Sequence, residues 1–277
     1  MPTKPKLGQN FLRDPQAIER IANALGDLAS ETVFEIGPGQ GAITRALAAR
    51  AQRVIAIELD RDLAAHLRLQ FPRERVEVVP ADVLQFDFAT EAVKAGKRLP
   101  IAGNLPYYIT SPILLKLAEN HAALDRAVLM VQRELADRIT AAPGSRDYGL
   151  LSVTVQMHGP VKQLFTLPPG AFSPPPDVHS TVFRWRFAPR FAELGVEDAG
   201  FLRFVRFAFA QKRKTLANNL RAAGYSAAAI HNAFARSAIQ PQVRAEALSL
   251  EEFARLWNEL DREKAAPAAG AAFSLND

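Results

Sequence analysis

The sequence predicts an α/β protein in which a mostly parallel sheet with crossover helices is followed by a smaller all-helical domain. Three observations predict it. Short β-branched runs alternate with helical stretches up to about Phe187, and a glycine-rich turn joins an early strand to a helix. After Phe187 strand signals stop, and Phe/Ala/Arg/Leu-rich helical text runs to about Lys264. With 277 residues, 48% of them apolar, the chain can build one full-size core and a second, smaller unit. The expected units are 1–188 and 189–264, with a low-complexity tail over 265–277, AAPAAGAAFSLND, expected to be disordered.

Taken in order, Asp14–Leu25 opens with Asp-Pro, an N-cap followed by an N1 proline, and carries apolar residues at helical spacing. Candidate strands are Thr32–Ile36, Arg53–Glu58, Arg75–Pro80, Leu99–Ala102, Ala127–Val131 and Thr181–Phe187. Helical periodicity covers Gly41–Arg50, Arg61–Phe71, Ile113–Asn120 and Arg133–Ala141 between them. The Val and Thr content of Leu150–His158 suits either state. Pro168–Asp177, PPGAFSPPPD, is too Pro-dense for strand or helix and reads as a loop.

Composition excludes several classes. Without cysteine there is no disulfide framework, thiolate metal site or catalytic thiol. Five scattered histidines show no metal-ligand spacing, so no metal is expected. No run approaches the ~18 to 20 apolar residues of a membrane span, and MPTKPKLGQN is too polar for a signal-peptide core. The expectation is a soluble, cytoplasmic protein with no membrane partner. The net charge of +5 and pI near 9.6 hint only mildly at a polyanion. Placement says more: Ala199 to Ala245 holds no acid, yet contains Arg203, Arg206, Lys212, Arg213, Lys214, Arg221, Arg236 and Arg244. If Phe201–Arg221 is one helix, Arg203, Arg206, Arg213, Lys214 and Arg221 form a stripe opposite Val205, Phe209 and Leu216, suited to RNA phosphates or simply a solvated face.

In Glu35-Ile-Gly37-Pro-Gly39-Gln-Gly41, glycines let the backbone turn tightly and approach a ligand, as in nucleotide-binding βαβ units. The spacing differs from the G-x-G-x-x-G that cradles a dinucleotide pyrophosphate. Glu58 at the end of VIAIELD is placed to accept from both ribose hydroxyls, and Asp82 in PADVL to accept from an adenine amine, although Asp82 alone also suits a turn cap. Gly37, Glu58 and Asp82 together describe an adenosine pocket without a pyrophosphate, as S-adenosylmethionine requires.

Asn104-Leu-Pro-Tyr-Tyr108 supplies the chemistry. The N6 amine of adenine is a poor nucleophile because its lone pair is delocalised, so it must be held by acceptors. The Asn104 side-chain oxygen and the Leu105 carbonyl, presented by the extended conformation that proline imposes on its predecessor, both serve. Tyr107 offers a face on which a flipped base stacks, and Phe172 in the Pro-rich loop is the candidate second face. The plainer alternatives are an ordinary turn before core aromatics, and for Phe172 a packing anchor.

These residues resemble the ribosomal RNA adenine N6-dimethyltransferases, in particular the KsgA/RsmA branch that acts on small-subunit RNA. The resemblance spans nearly the whole chain: Gly8-Gln-Asn-Phe-Leu12, EIGPGQG, IELD, ADVL, NLPYY, AFSPPPDVHS and FAFAQKRKTLANNL occur in the family's order. It implies a Rossmann-like, seven-stranded methyltransferase sheet, and S-adenosylmethionine contacts at Asn10, Leu12, Gly37, Glu58, Asp82 and Asn104. Tyr107 and Phe172 take the base. It further implies dimethylation of two adjacent adenosines in the terminal hairpin loop of 16S rRNA, a checkpoint in small-subunit maturation, and a monomer. Tyr108 departs from the pattern, since other members often carry Asn or His there. The competing readings are a macrolide-resistance type acting on large-subunit RNA, an assembly factor using the fold as a scaffold, and an NAD-dependent oxidoreductase.

Overall fold

The computed structural model describes residues 10–265. Gly8 and Gln9 of the N-terminal motif, and the tail predicted to be disordered, lie outside the described residues, apart from Ala265. Contacts divide the chain into two units at Thr140, Val153 and Pro189, so that 141–153 group with the C-terminal helices.

The first unit is built on a seven-stranded sheet: β1 Thr32–Ile36, β2 Arg53–Glu58, β3 Val76–Pro80, β4 Leu99–Asn104, β5 Leu124–Gln132, β6 Val161–Leu167 and β7 Ser180–Arg186. Their order is β3-β2-β1-β4-β5-β7-β6. The first five are parallel, and β7 pairs antiparallel with both β5 and β6. Strands buried on both faces need near-continuous apolar text, which TVFEI and RVIAIE supply. Helix α1 Pro15–Ala24 precedes β1, and α2 Ala42–Ala48, α3 Arg61–Gln70, α4 Phe88–Ala95, α5 Thr110–Glu119 and α6 Arg133–Ile139 follow β1 to β5 in turn. Asp14 caps α1 through Oδ1, which accepts from Gln16 N at 2.9 Å and Ala17 N at 3.2 Å. Asp60 caps α3 in the same way. The ambiguous segment is helical, α7 Leu150–Met157.

Three elements go beyond the sequence reading. Helix α4 was not expected, although Asp87 caps it through Thr90 and Gly96 ends it in a left-handed conformation. Strand β6 was not expected either. The Pro-rich segment is not all loop: a 3-10 turn, Pro169–Ala171, leads into a two-residue strand, Phe172–Ser173, antiparallel to Phe11–Leu12.

The second unit is helical beyond Pro189: α8 Asp198–Ala208, α9 Leu216–Ala222, α10 Ala227–Arg236 and α11 Leu250–Ala265. Phe204 packs with Phe253 and Trp257 at 6.3 and 5.5 Å between ring centroids. The single helix expected over Phe201–Arg221 is corrected. Helix α8 ends at Ala208, and Thr215 caps α9 through Asn218 N. Buried Asn219 donates from Nδ2 to the Ala208 carbonyl at 2.6 Å, satisfying one of the acceptors a helix C-terminus leaves open.

The order reverses between β1 and β4, so the loops leaving their carboxyl ends diverge and open a crevice. Gly103 sets how closely these strands approach, because a Cβ there would lie 2.7 Å from the Ile36 carbonyl oxygen. Gly103→Ala is therefore expected to cost about 1–3 kcal/mol, read as a lower urea midpoint at unchanged slope.

Candidate active site

The loop after β1 is closed by hydrogen bonds from Gly37 N to the Ile57 carbonyl, 3.0 Å, and from Gly41 N to the Pro38 carbonyl, 2.9 Å. Gly39, at φ 57°, cannot be replaced without strain, and a Cβ there would press to 2.9 Å on the Phe11 ring. Its N–H donates to Glu58 Oε2 at 3.0 Å.

Glu58 ends β2 and is 4% exposed. Its other oxygen accepts from Asp60 N at 2.9 Å. Burial pushes the Glu58 carboxyl above its ordinary value, while the Asp60 and Gly39 amides hold it down. Below it on β1, Glu35 is 1% exposed, and its carboxyl is pushed up to about 8, chiefly by burial. The Thr44 hydroxyl opposes that rise and the charge of Glu58 adds to it.

Asp82 follows β3 and caps a 3-10 turn, Val83–Gln85, with Oδ1 accepting from Leu84 N at 2.9 Å. The turn-cap reading therefore holds for that oxygen.

Asn104 ends β4. Its Nδ2 donates to the Asn10 carbonyl at 3.0 Å, which leaves Oδ1 as the acceptor. Leu105 N donates to the Met130 carbonyl at 3.0 Å. Pro106, at φ −61° and ψ 127°, turns the chain into the 3-10 segment Tyr107–Ile109. The Tyr107 hydroxyl and Ser180 Oγ are hydrogen-bonded at 2.7 Å, and burial raises the phenol above its usual range with Ser180 opposing. Tyr107 keeps a half-buried ring, whereas Tyr108 is exposed.

The structure brings most of the predicted residues together. Asn10, Leu12, Gly37, Glu58, Asn104, Leu105 and Tyr107 line one cavity. Asp82 and Tyr108 line a second. Gly37, Glu58 and Pro106 belong to both, so the two make one cleft. Phe172 lies outside that lining. At 4% exposure it sits in the apolar cluster with Leu12 and Leu167. Its backbone pairs with Leu12. Phe11 lines the cleft instead, and Ser180 anchors Tyr107. Both lie inside motifs already singled out, Gly8-Gln-Asn-Phe-Leu12 and AFSPPPDVHS, but neither was given a site role, because what each touches is set by tertiary packing.

In the second unit Arg203 and Arg206 lie on α8, Arg213 and Lys214 in the connection after it, and Arg221 on α9, all exposed. They are not one helical stripe. Arg221 hydrogen-bonds Asn218, and two other cations of the acid-free window are paired, Arg236 with Glu259 at 3.5 Å and Arg244 with Glu246 at 4.0 Å. Among the described residues no helix is long and apolar enough to cross a membrane.

Because Glu35 binds its proton more tightly folded than unfolded, its contribution to stability is complete below pH 4.5 and lost as pH rises toward 8. Wild-type unfolding free energy is expected to fall relative to Glu35→Gln across that window by up to about 1.4 kcal/mol per pH unit. Urea titrations from pH 5 to 8 read the difference; parallel curves would show that Glu35 ionises normally.

Residues 2–262 match the family model described as ribosomal RNA adenine dimethylase. The chain is 59% identical over 259 residues to ribosomal RNA small subunit methyltransferase A of Acidobacterium capsulatum, covering 93% of this chain and 91% of that one. To the protein of the same name from Koribacter versatilis it is 52% identical, covering 93% and 94%. Its fold is similar to the crystal structure of the 23S rRNA methyltransferase ErmE, with a TM-score of 0.69 and 28% identity over 91% of this chain and all of that one. It is also similar to that of a dimethyladenosine transferase from Plasmodium falciparum, with a TM-score of 0.75 and 24% identity over 92% and 98%. With the match running across both units, the chain belongs to the ribosomal RNA adenine dimethylase family.

Proposed function

We propose that this protein transfers methyl groups from S-adenosylmethionine to N6 of two adjacent adenosines in the 3′-terminal hairpin loop of 16S rRNA, giving N6,N6-dimethyladenosine. It acts as a cytoplasmic monomer on immature small subunits. One observation carries the reading: Asn104, its amide fixed by Asn10, shares a cleft with Leu105, Tyr107 and the carboxylate of Glu58.

The cleft suits the cofactor by its donor set. A buried carboxylate at the end of β2, already oriented by two amides, retains lone pairs for ribose hydroxyls. Asp82 keeps one oxygen for the adenine amine. Asn10, Leu12 and Gly37 line the part beside Asn104. When bound, S-adenosylmethionine supplies an electrophilic methyl group. The chain's residues do the rest by positioning. Asn104 Oδ1 and the Leu105 carbonyl accept the two N6 hydrogens before the first transfer, and one of them accepts the single remaining hydrogen before the second, which draws the amine lone pair out of ring conjugation; the proton displaced at each transfer leaves to solvent. Tyr107 stacks the flipped base, its ring oriented through Ser180. Exposed Arg203, Arg206, Arg213, Lys214 and Arg221 hold RNA phosphates.

The test is methyl transfer from labelled cofactor to small subunits from cells lacking the modification, with free RNA and large subunits alongside. Asn104→Ala is expected to lower kcat by about 10²–10³, as loss of one preorganised polar group does, with the cofactor still bound. Label on large subunits would sink the substrate assignment, and no label on any substrate would favour an assembly factor. Reversing Arg213 and Lys214 to Glu is expected to weaken RNA binding and flatten its salt dependence by about 1 to 2 in slope, with cofactor affinity intact; equal loss of both would refute the division of labour.

A further inference from the structure

We infer that the catalytic unit carries its own RNA-phosphate surface, away from the cleft, on the outer strands of the sheet. Strand register carries the argument. Lys162 on β6 lies directly across from Arg184 on β7, and Arg186 on β7 directly across from Arg126 on β5. Directly opposed residues share a face, as do Arg184 and Arg186, two residues apart on one strand. Val128 and Val182, the apolar neighbours in these rows, belong to the core cluster on that same face. Arg20 of α1 joins the group, its guanidinium 3.6 Å from the centre of the Phe165 ring, with Phe165 paired to Val182.

Two like-charged cross-strand pairs side by side disfavour the fold they belong to. Nothing local neutralises most of them. Asp125 pairs with Arg126, which also donates to the Leu25 carbonyl at 2.5 Å. Asp27 uses a carboxylate oxygen to accept from Ala29 N. Lys162, Arg184 and Arg186 are exposed and have no ion pair among the described residues. A lone lysine on an edge strand serves to block edge pairing. That accounts for Lys162 on β6 but not for Arg184 and Arg186, because β7 lies inside the sheet.

The partner this surface fits is the phosphate backbone of structured RNA. Arginine forks match phosphate geometry, and Arg184 and Arg186 stand about 7 Å apart along their strand. Ser180, which anchors Tyr107, begins the same strand. Arg184 and Arg186 are four and six residues further on, about 13 and 20 Å away. The surface therefore grips the stem flanking a target base, not the base. This rests on the RNA-modifying reading above.

The experiment uses the full chain with Lys162→Glu, Arg184→Glu and Arg186→Glu combined, and the corresponding triple Gln variant. Binding to protein-free 16S rRNA is titrated with salt beside methyl transfer to small subunits. Expected are at least about tenfold weaker RNA binding, a salt slope flattened by about 2 to 3, KM raised in parallel, and kcat and cofactor affinity within about twofold. Lys162→Glu alone places opposite charges across the strands and is expected to raise the thermal midpoint; a lower one would refute the like-charge pairing. Unchanged RNA affinity and KM in a folded triple variant would overturn the proposal. A raised KM on subunits with unchanged RNA affinity would overturn it in favour of an acidic protein surface. Wild-type protein that bound RNA with the steep slope yet transferred no methyl group would sink the functional reading and support this surface.

Discussion

The Glu58 carboxylate is the constraint on which the cleft depends. One oxygen takes the amide of Gly39 and the other that of Asp60, so a single buried group ties the glycine loop after β1 to the turn into α3. Charge-assisted hydrogen bonds to backbone amides are the stronger kind. They hold the loop where Phe11 packs on Gly39. On the neighbouring strand β1, the carboxyl of buried Glu35 is raised mainly by its burial, and the charge of Glu58 adds to that rise. With its carboxyl pushed up to about 8, Glu35 stays mainly protonated at neutral pH.

What the sequence disclosed and what it hid divide along one physical line. Gly37, Glu58, Asp82 and Asn104 were legible because a parallel sheet delivers the carboxyl ends of its strands to one rim, and each motif sits directly after a local strand signal. The helix break between Ala208 and Leu216 had a local signal too, Thr215 as an N-cap. Its other half is tertiary: the buried Asn219 amide reaching back to Ala208. For Phe172 the sequence offered two readings, a face for the base and a packing anchor, and could not choose between them. The position of that side chain is decided by pairing with Leu12, remote in sequence, and by an apolar cluster assembled from α1, α2 and several strands.

Charge followed the same division. Arg203 to Arg221 stood out because they are dense in sequence and lack acids, a signal that survives the loss of the single-helix geometry. Lys162, Arg184 and Arg186 are unremarkable in the text, interleaved with Gln163 and Trp185. Only register aligns them, since a shift of one residue would turn Arg184 toward the opposite face. Net charge alone, +5 in 277 residues, described neither set.

On the proposed chemistry, the buried position of Phe172 bears on how the base is chosen. Burying a phenylalanine is worth about 1.5–3 kcal/mol, and stacking a base about 1–3 kcal/mol. Withdrawing Phe172 from the core to clasp a base would return about what it costs. Tyr107 requires no such exchange, because its ring is already partly open to the cleft and its hydroxyl is anchored by Ser180. Stacking on one face does not discriminate, since every base has a π-face. Discrimination then falls to Asn104 Oδ1 and the Leu105 carbonyl. Two acceptors side by side attract an exocyclic amine and repel the exocyclic oxygen of guanine or uracil. The same two atoms that draw out the N6 lone pair therefore also favour the amine-bearing bases, adenine and cytosine, over guanine and uracil.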